Sequence, residues 1–416
     1  MQQGIITPAV KQVRRTWRAA IGAGARLRIS IIMTENTKDI AVLGQVFTPP
    51  AIVERMLGLI RNKGRRLDPA AGDGAFSSRL NRCVAIELDS RHSQAGTYTM
   101  DFFAYPEDEK FDTIIGNPPY VKARDIRPET ALHLSSQLLD GHANLYYHFI
   151  EKCVRHLRPG GELIFITPRD FLKATGAGRL NTWLHDHGSF TDMIDLGDAK
   201  IFQGALPNCI IWRYERGNLE RHLGDGRRMR LTGGQLMFTH GIYSVPLASV
   251  FSVKVGAVSG ADDIFTHAQL GNADFVCSRT GQSGELRRMI FDTPAPLPYL
   301  EQFKARLLAR RVTRFDEHNW WKWGRRHHVS EAPRIYVNNK TRNSRPFFLN
   351  DCTHYDGSVL ALFTRRLNAD LKQLAALLND VDWAELGFVC DGRFLFAQRS
   401  LEQALLPEVF SGYAKE

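Results

Sequence analysis

The chain has 416 residues, 44% of them hydrophobic, which is more apolar material than one core of ordinary size uses, so two domains are expected. A formal net charge of +10 favours a polyanionic partner. The six cysteines (83, 153, 209, 277, 352, 390) form no Cys-x-x-Cys pair, which argues against a zinc site and a disulfide framework and for a reducing, cytoplasmic compartment. No apolar run reaches membrane-spanning length. Lys11, Arg14, Arg15, Arg18, Arg26 and Arg28 interrupt the only apolar stretch of the first 32 residues, so a secretory signal is not expected.

Residues 1–43 carry no recognisable pattern and are expected to be poorly ordered and dispensable; a start at Met33 would lose nothing assignable. Thr48-Pro49-Pro50 reads as a helix start, a capping hydroxyl followed by prolines, and Ile52, Val53, Met56, Leu57 and Ile60 follow at helical spacing. Short apolar runs at 83–88, 111–115, 163–167, 193–196 and 209–214 read as strands. Residues 144–157 read as an amphipathic helix closed by Pro159-Gly160-Gly161. Strands alternating with helices imply an α/β domain with a mostly parallel sheet covered on both faces. A polar, glycine-bearing stretch at 217–234 suggests a domain boundary there, giving a catalytic domain over 44–234 and a second domain over 235–416.

Four motifs carry chemistry. Asp68-Pro69-Ala70-Ala71-Gly72-Asp73-Gly74 lies between a strand and an expected helix, where glycines let backbone approach a ligand. Glu87 ends the next strand, where a carboxylate can hold two ribose hydroxyls. Asp101-Phe102 ends a third candidate strand; the carboxylate can accept from an adenine amine and the ring can stack. Asn117-Pro118-Pro119-Tyr120 follows the strand at 111–115. An exocyclic aromatic amine is a poor nucleophile because its lone pair is delocalised into the ring. Two acceptors, the Asn117 side-chain oxygen and the Pro118 carbonyl, would hold both amine hydrogens and aim the lone pair at a methyl donor. The prolines stiffen the loop. Tyr120 would stack on the flat base through its ring face, its hydroxyl being immaterial to that role.

Together these motifs, with Asn144-Leu145-Tyr146, Phe149, Glu151-Lys152, Leu157, Pro159-Gly160-Gly161 and Pro168, resemble the gamma-class N6-adenine DNA methyltransferases from about Gly44 to about Tyr214. The resemblance implies a Rossmann-like S-adenosylmethionine-dependent methyltransferase sheet followed by a mixed target-recognition domain. In that family the equivalents of Thr48 and Pro49 contact the methionine end of the cofactor. The residues matching Asp68, Ala70 and Gly72 line the same pocket, Glu87 takes the ribose, and Asp101 with Phe102 takes the adenine. Phe202 resembles the second aromatic that sandwiches a flipped adenine against the catalytic-loop tyrosine.

The C-terminal half shows a turn-rich segment at 255–265 and a basic stretch at 304–345, with 12 Lys or Arg against three acids, Asp316, Glu317 and Glu331. Trp320, Trp321, Trp323 and Tyr336 are interleaved with the cations, a composition suited to phosphates and stacking or equally to a basic face over an aromatic core. Arg325, Arg326, Lys340 and Arg342 are the candidate DNA contacts. The expected activity is site-specific methyl transfer to adenine N6 in duplex DNA, without a metal, by a monomer acting beside a separate restriction endonuclease. RNA adenine or protein glutamine N-methylation on the same fold is the alternative.

Overall fold

The computed structural model describes residues 47–197, 208–390 and 392–415; the extension over 1–43 and Phe202 lie outside these residues. The described residues fall into two compact units, 47–167 and 168–415.

In the first unit, helix α1 (Pro50–Leu57) starts on two prolines, whose fixed φ suits the first turn. It buries Ile52, Val53 and Met56. The Thr48 hydroxyl does not cap it: no side chain caps this helix. Five parallel strands follow, β1 (Arg66–Asp68), β2 (Cys83–Glu87), β3 (Tyr98–Thr99), β4 (Phe111–Gly116) and β5 (Leu157–Pro168), in the order β3-β2-β1-β4-β5. Leu67 pairs with Val84, Glu87 with Thr99, and Ile114 with Leu163. Leu67, Ile86, Ile114, Ile115, Ile164 and Phe165 are all buried, as expected where a parallel sheet has both faces covered.

Two shorter elements complete this unit: α2 (Pro128–Ala131) and α3 (Leu145–His156). The Asn144 side chain accepts the Tyr146 amide and so caps α3, a contact whose loss typically costs about 1 kcal/mol. Ten of the twelve residues of α3 are buried. The helix expected after Gly74 is absent; a three-residue 3-10 turn, Ser77–Arg79, takes its place. Between Gly74 and Cys83 too little chain remains for a longer helix, so no helix dipole points at the glycine turn.

The second unit begins at Pro168. Its opening segment holds a helix, Gly178–His187, and two antiparallel strands, Gly188–Asp195 and Cys209–Arg216. Packing ties this segment to the remainder of the second unit. Phe190 lies 5.1 Å from Trp212 and 5.4 Å from Phe238, and Asn181 donates to the Gly234 carbonyl at 3.0 Å. Further on, a four-stranded antiparallel sheet runs in the order Phe251–Val255, Val359–Thr364, Ile335–Asn338, Phe347–Leu349. Among the described residues no helix is long and apolar enough to cross a membrane. Cys83, Cys153, Cys209, Cys277 and Cys352 are free thiols.

Candidate cofactor and catalytic site

The C-terminal ends of β1, β2 and β4, with the turn after β3, open onto one cleft of about 850 Å3, where open α/β sheets bind ligands. It brings together Ala70, Gly72, Glu87, Asp101, Phe102 and Asn117, all expected from the sequence.

Each carboxylate is held by the protein. Glu87 accepts the Gly72 amide at 2.7 Å through one oxygen and the Asp89 amide at 2.8 Å through the other. Gly72 sits at φ +54, a conformation glycine adopts without strain, and this aims its amide at Glu87. One lone pair on each Glu87 oxygen remains for a vicinal diol. Asp101 accepts from the Phe103 amide at 2.9 Å and from the Thr130 hydroxyl at 2.6 Å. Phe102 presents a buried ring to the cleft, stacked on Phe149 at 5.2 Å.

The loop Asn117-Pro118-Pro119-Tyr120 is tied on both sides. Asn117 donates through Nδ2 to the Thr48 hydroxyl at 3.2 Å, and its Oδ1 accepts from the Tyr120 hydroxyl at 2.7 Å. The same hydroxyl lies 2.9 Å from the Ile166 carbonyl. Tyr120 packs edge-to-face on buried Tyr146 at 5.8 Å. The Tyr120 hydroxyl therefore holds the Asn117 carboxamide, because the turn of the loop folds Tyr120 back towards Asn117. Thr48, expected to cap α1, instead accepts from Asn117.

Thr48, Pro49, Asp68, Pro118 and Tyr120 are not among the residues that line this cleft. Asp68 is fully buried, with neither oxygen in a hydrogen bond. Burial pushes its carboxyl up to about 8; the Ala70 and Ser77 amides pull the other way without closing a hydrogen bond. Residues that pattern alone did not single out complete the wall, among them Phe47, Met100, Ile126, Arg127 and Thr130. Phe47 and Met100 stand one position before Thr48 and Asp101, the only signal the sequence carried for them.

The cleft fits a nucleoside carrying positive charge. Glu87 and Asp101, with Asp89 ion-paired to Arg91, line it against the guanidinium of Arg127, which leaves no excess of cations for a polyphosphate. Among the described residues no group of three or more His, Cys, Asp or Glu could hold a metal.

In the second unit the basic stretch divides. Trp320, Trp323 and Tyr336 are buried, and Trp321 packs against the same core as the first two. The Trp323 and Trp321 ring N–H groups donate to the Ile290 and Thr293 carbonyls, and the Tyr336 hydroxyl to that of Cys352. Arg325 donates to the Gly256 carbonyl, and Arg326 pairs with Asp292. Lys340 and Arg342 are exposed.

The family match and the curated relatives cover less than half of the chain. The chain is 32% identical over 196 residues to the type II methyltransferase M.HincII of Haemophilus influenzae, covering 44% of this chain and 39% of that protein. It is 33% identical over 208 residues to M.TthHB8I of Thermus thermophilus, covering 45% and 48%. The chain thus spans less than half the length of these curated relatives. A type I restriction-modification methyltransferase subunit from Streptococcus thermophilus is a looser structural likeness, at 18% identity and TM-score 0.34 over 43% of this chain and 46% of that one. The stretch that holds the glycine turn, Glu87, Asp101 and the catalytic loop, residues 70–202, matches the Eco57I restriction-modification methylase family.

Proposed function

We propose that this protein is an S-adenosylmethionine-dependent DNA methyltransferase that modifies the exocyclic N6 amine of adenine within a specific site. The observation that carries the reading is the placement of Asn117. Its carboxamide lines the same cleft as Glu87 and Asp101 and is fixed by Tyr120 and Thr48. Type II methyltransferases of restriction-modification systems among the relatives support DNA as substrate.

Bound S-adenosylmethionine supplies a methyl group made electrophilic by its sulfonium. The chain's residues do the rest. Glu87 holds the ribose hydroxyls and Asp101 the adenine amine of the cofactor. Asn117 Oδ1 accepts one hydrogen of the target amine, and the Pro118 carbonyl accepts the other. Both contacts strengthen as the nitrogen gains positive charge, so they act on the chemical step more than on binding. The Tyr120 ring supports the flipped base. Residues 235–416 serve target recognition, with Lys340 and Arg342 on phosphates, and a separate endonuclease recognises the same site.

The test is transfer of tritiated methyl onto duplex DNA, structured RNA and release factor in parallel. Label enters duplex DNA alone, and Asn117→Ala lowers its rate by about 100-fold or more while cofactor affinity holds. Label only in RNA or protein would overturn the substrate.

A further inference from the structure

Asp101 owes its orientation to a residue outside every motif read from the sequence. Its Oδ1 takes the Phe103 amide at 2.9 Å, and its Oδ2 takes the Thr130 hydroxyl at 2.6 Å. Thr130 is 4% exposed and lines the cleft. It is carried by α2, a single turn that begins on Pro128 and is closed by the Ala131 and Leu132 amides donating to the Arg127 and Pro128 carbonyls. The short, proline-started turn gives the hydroxyl one position from which to reach the carboxylate.

Two donors on one carboxylate have a defined effect. Both contacts are donors to the carboxylate, which therefore meets a ligand as an acceptor. They also fix the plane of the carboxylate, so the remaining lone pairs point in set directions. An acceptor held this way welcomes a ring bearing an amine at position 6. It repels a ring bearing a carbonyl there, because two acceptors would face each other with no hydrogen between them.

We propose that Thr130 is a positioning residue that sets the base specificity of the cofactor site, through Asp101, for a 6-amino over a 6-oxo purine. This rests on the cofactor reading above. Thr130→Val keeps the shape and removes the donor. Calorimetry on the full chain compares S-adenosylhomocysteine with S-inosylhomocysteine. The expected result is a roughly three- to tenfold loss of affinity for the adenosyl compound, as for one hydrogen bond, with the inosyl compound unchanged. The preference for adenine then falls by the same factor. Thr130→Ser restores it. In an Asp101→Asn background, Thr130→Val changes the preference no further.

Equal weakening of both compounds would show that Thr130 only supports the wall of the cleft, and an unchanged preference would show that Asp101 needs no help; either overturns the proposal. A wild-type chain that binds neither compound would instead remove the cofactor reading on which it rests.

Discussion

Replacing Tyr120 with phenylalanine keeps the ring and removes one oxygen. That oxygen has a single hydrogen and two acceptors within reach, Asn117 Oδ1 at 2.7 Å and the Ile166 carbonyl at 2.9 Å. Stacking on a flipped base depends on the ring, which is unchanged. What is lost is the Tyr120 tie on the Asn117 carboxamide, while the Thr48 contact at 3.2 Å on its other end remains. A neutral hydrogen bond is worth about 0.5–1.5 kcal/mol net, so the rate of methyl transfer should fall roughly two- to tenfold if the whole of it is spent on orienting Asn117. The assay is single-turnover transfer to duplex DNA at saturating cofactor, with cofactor affinity measured alongside. The expected pattern is a lower rate at unchanged affinity. Tyr120→Ala should fall further, because it also gives up stacking worth about 1–3 kcal/mol per base. A Tyr120→Phe rate equal to wild type would refute the reasoning and assign the hydroxyl to the Ile166 carbonyl alone.

Glu87→Gln puts an amide where two oxygens now accept the Gly72 and Asp89 amides. Calorimetry should show affinity for S-adenosylhomocysteine reduced about tenfold or more, since hydrogen bonds to charged groups are worth about 1.5–3 kcal/mol; unchanged affinity would remove Glu87 from the ribose. Lys340→Ala with Arg342→Ala should weaken DNA binding whatever the sequence and lower the salt slope by about two, whereas an unchanged slope would place both side chains away from phosphate. The buried His327 ring is pushed down to about 4 by burial, then by His354 and Arg334. Between about pH 6.5 and pH 4 the unfolded chain takes up a proton that the folded one refuses. The stability of the second unit is therefore full above about 6.5 and falls, by roughly 1–3 kcal/mol, as the pH drops to about 4. Urea unfolding at several pH values should show this slope flattened in His327→Phe, and an unaltered slope would exonerate the ring.

The sequence by itself determined the positions of Glu87, Asp101 and Asn117. Apolar runs mark parallel strands, and the residues at their C-terminal ends point to the ligand side of such a sheet whatever else the chain does. It also marked α3, because helical periodicity is local. The contacts between those points were not local. Thr48 reads as a cap from its neighbours, yet its hydroxyl meets Asn117, 69 residues away. Thr130 carries no pattern and reaches Asp101 only because α2 folds over the cleft. The basic, aromatic stretch of the second unit is the plainest case. An aromatic that stacks on a base and one that fills a core have the same composition and spacing. Only packing separates them, and it buries Trp320, Trp323 and Tyr336 while leaving Lys340 and Arg342 to solvent. Burial is a property of what surrounds a residue in three dimensions, so it is decided by partners far along the chain.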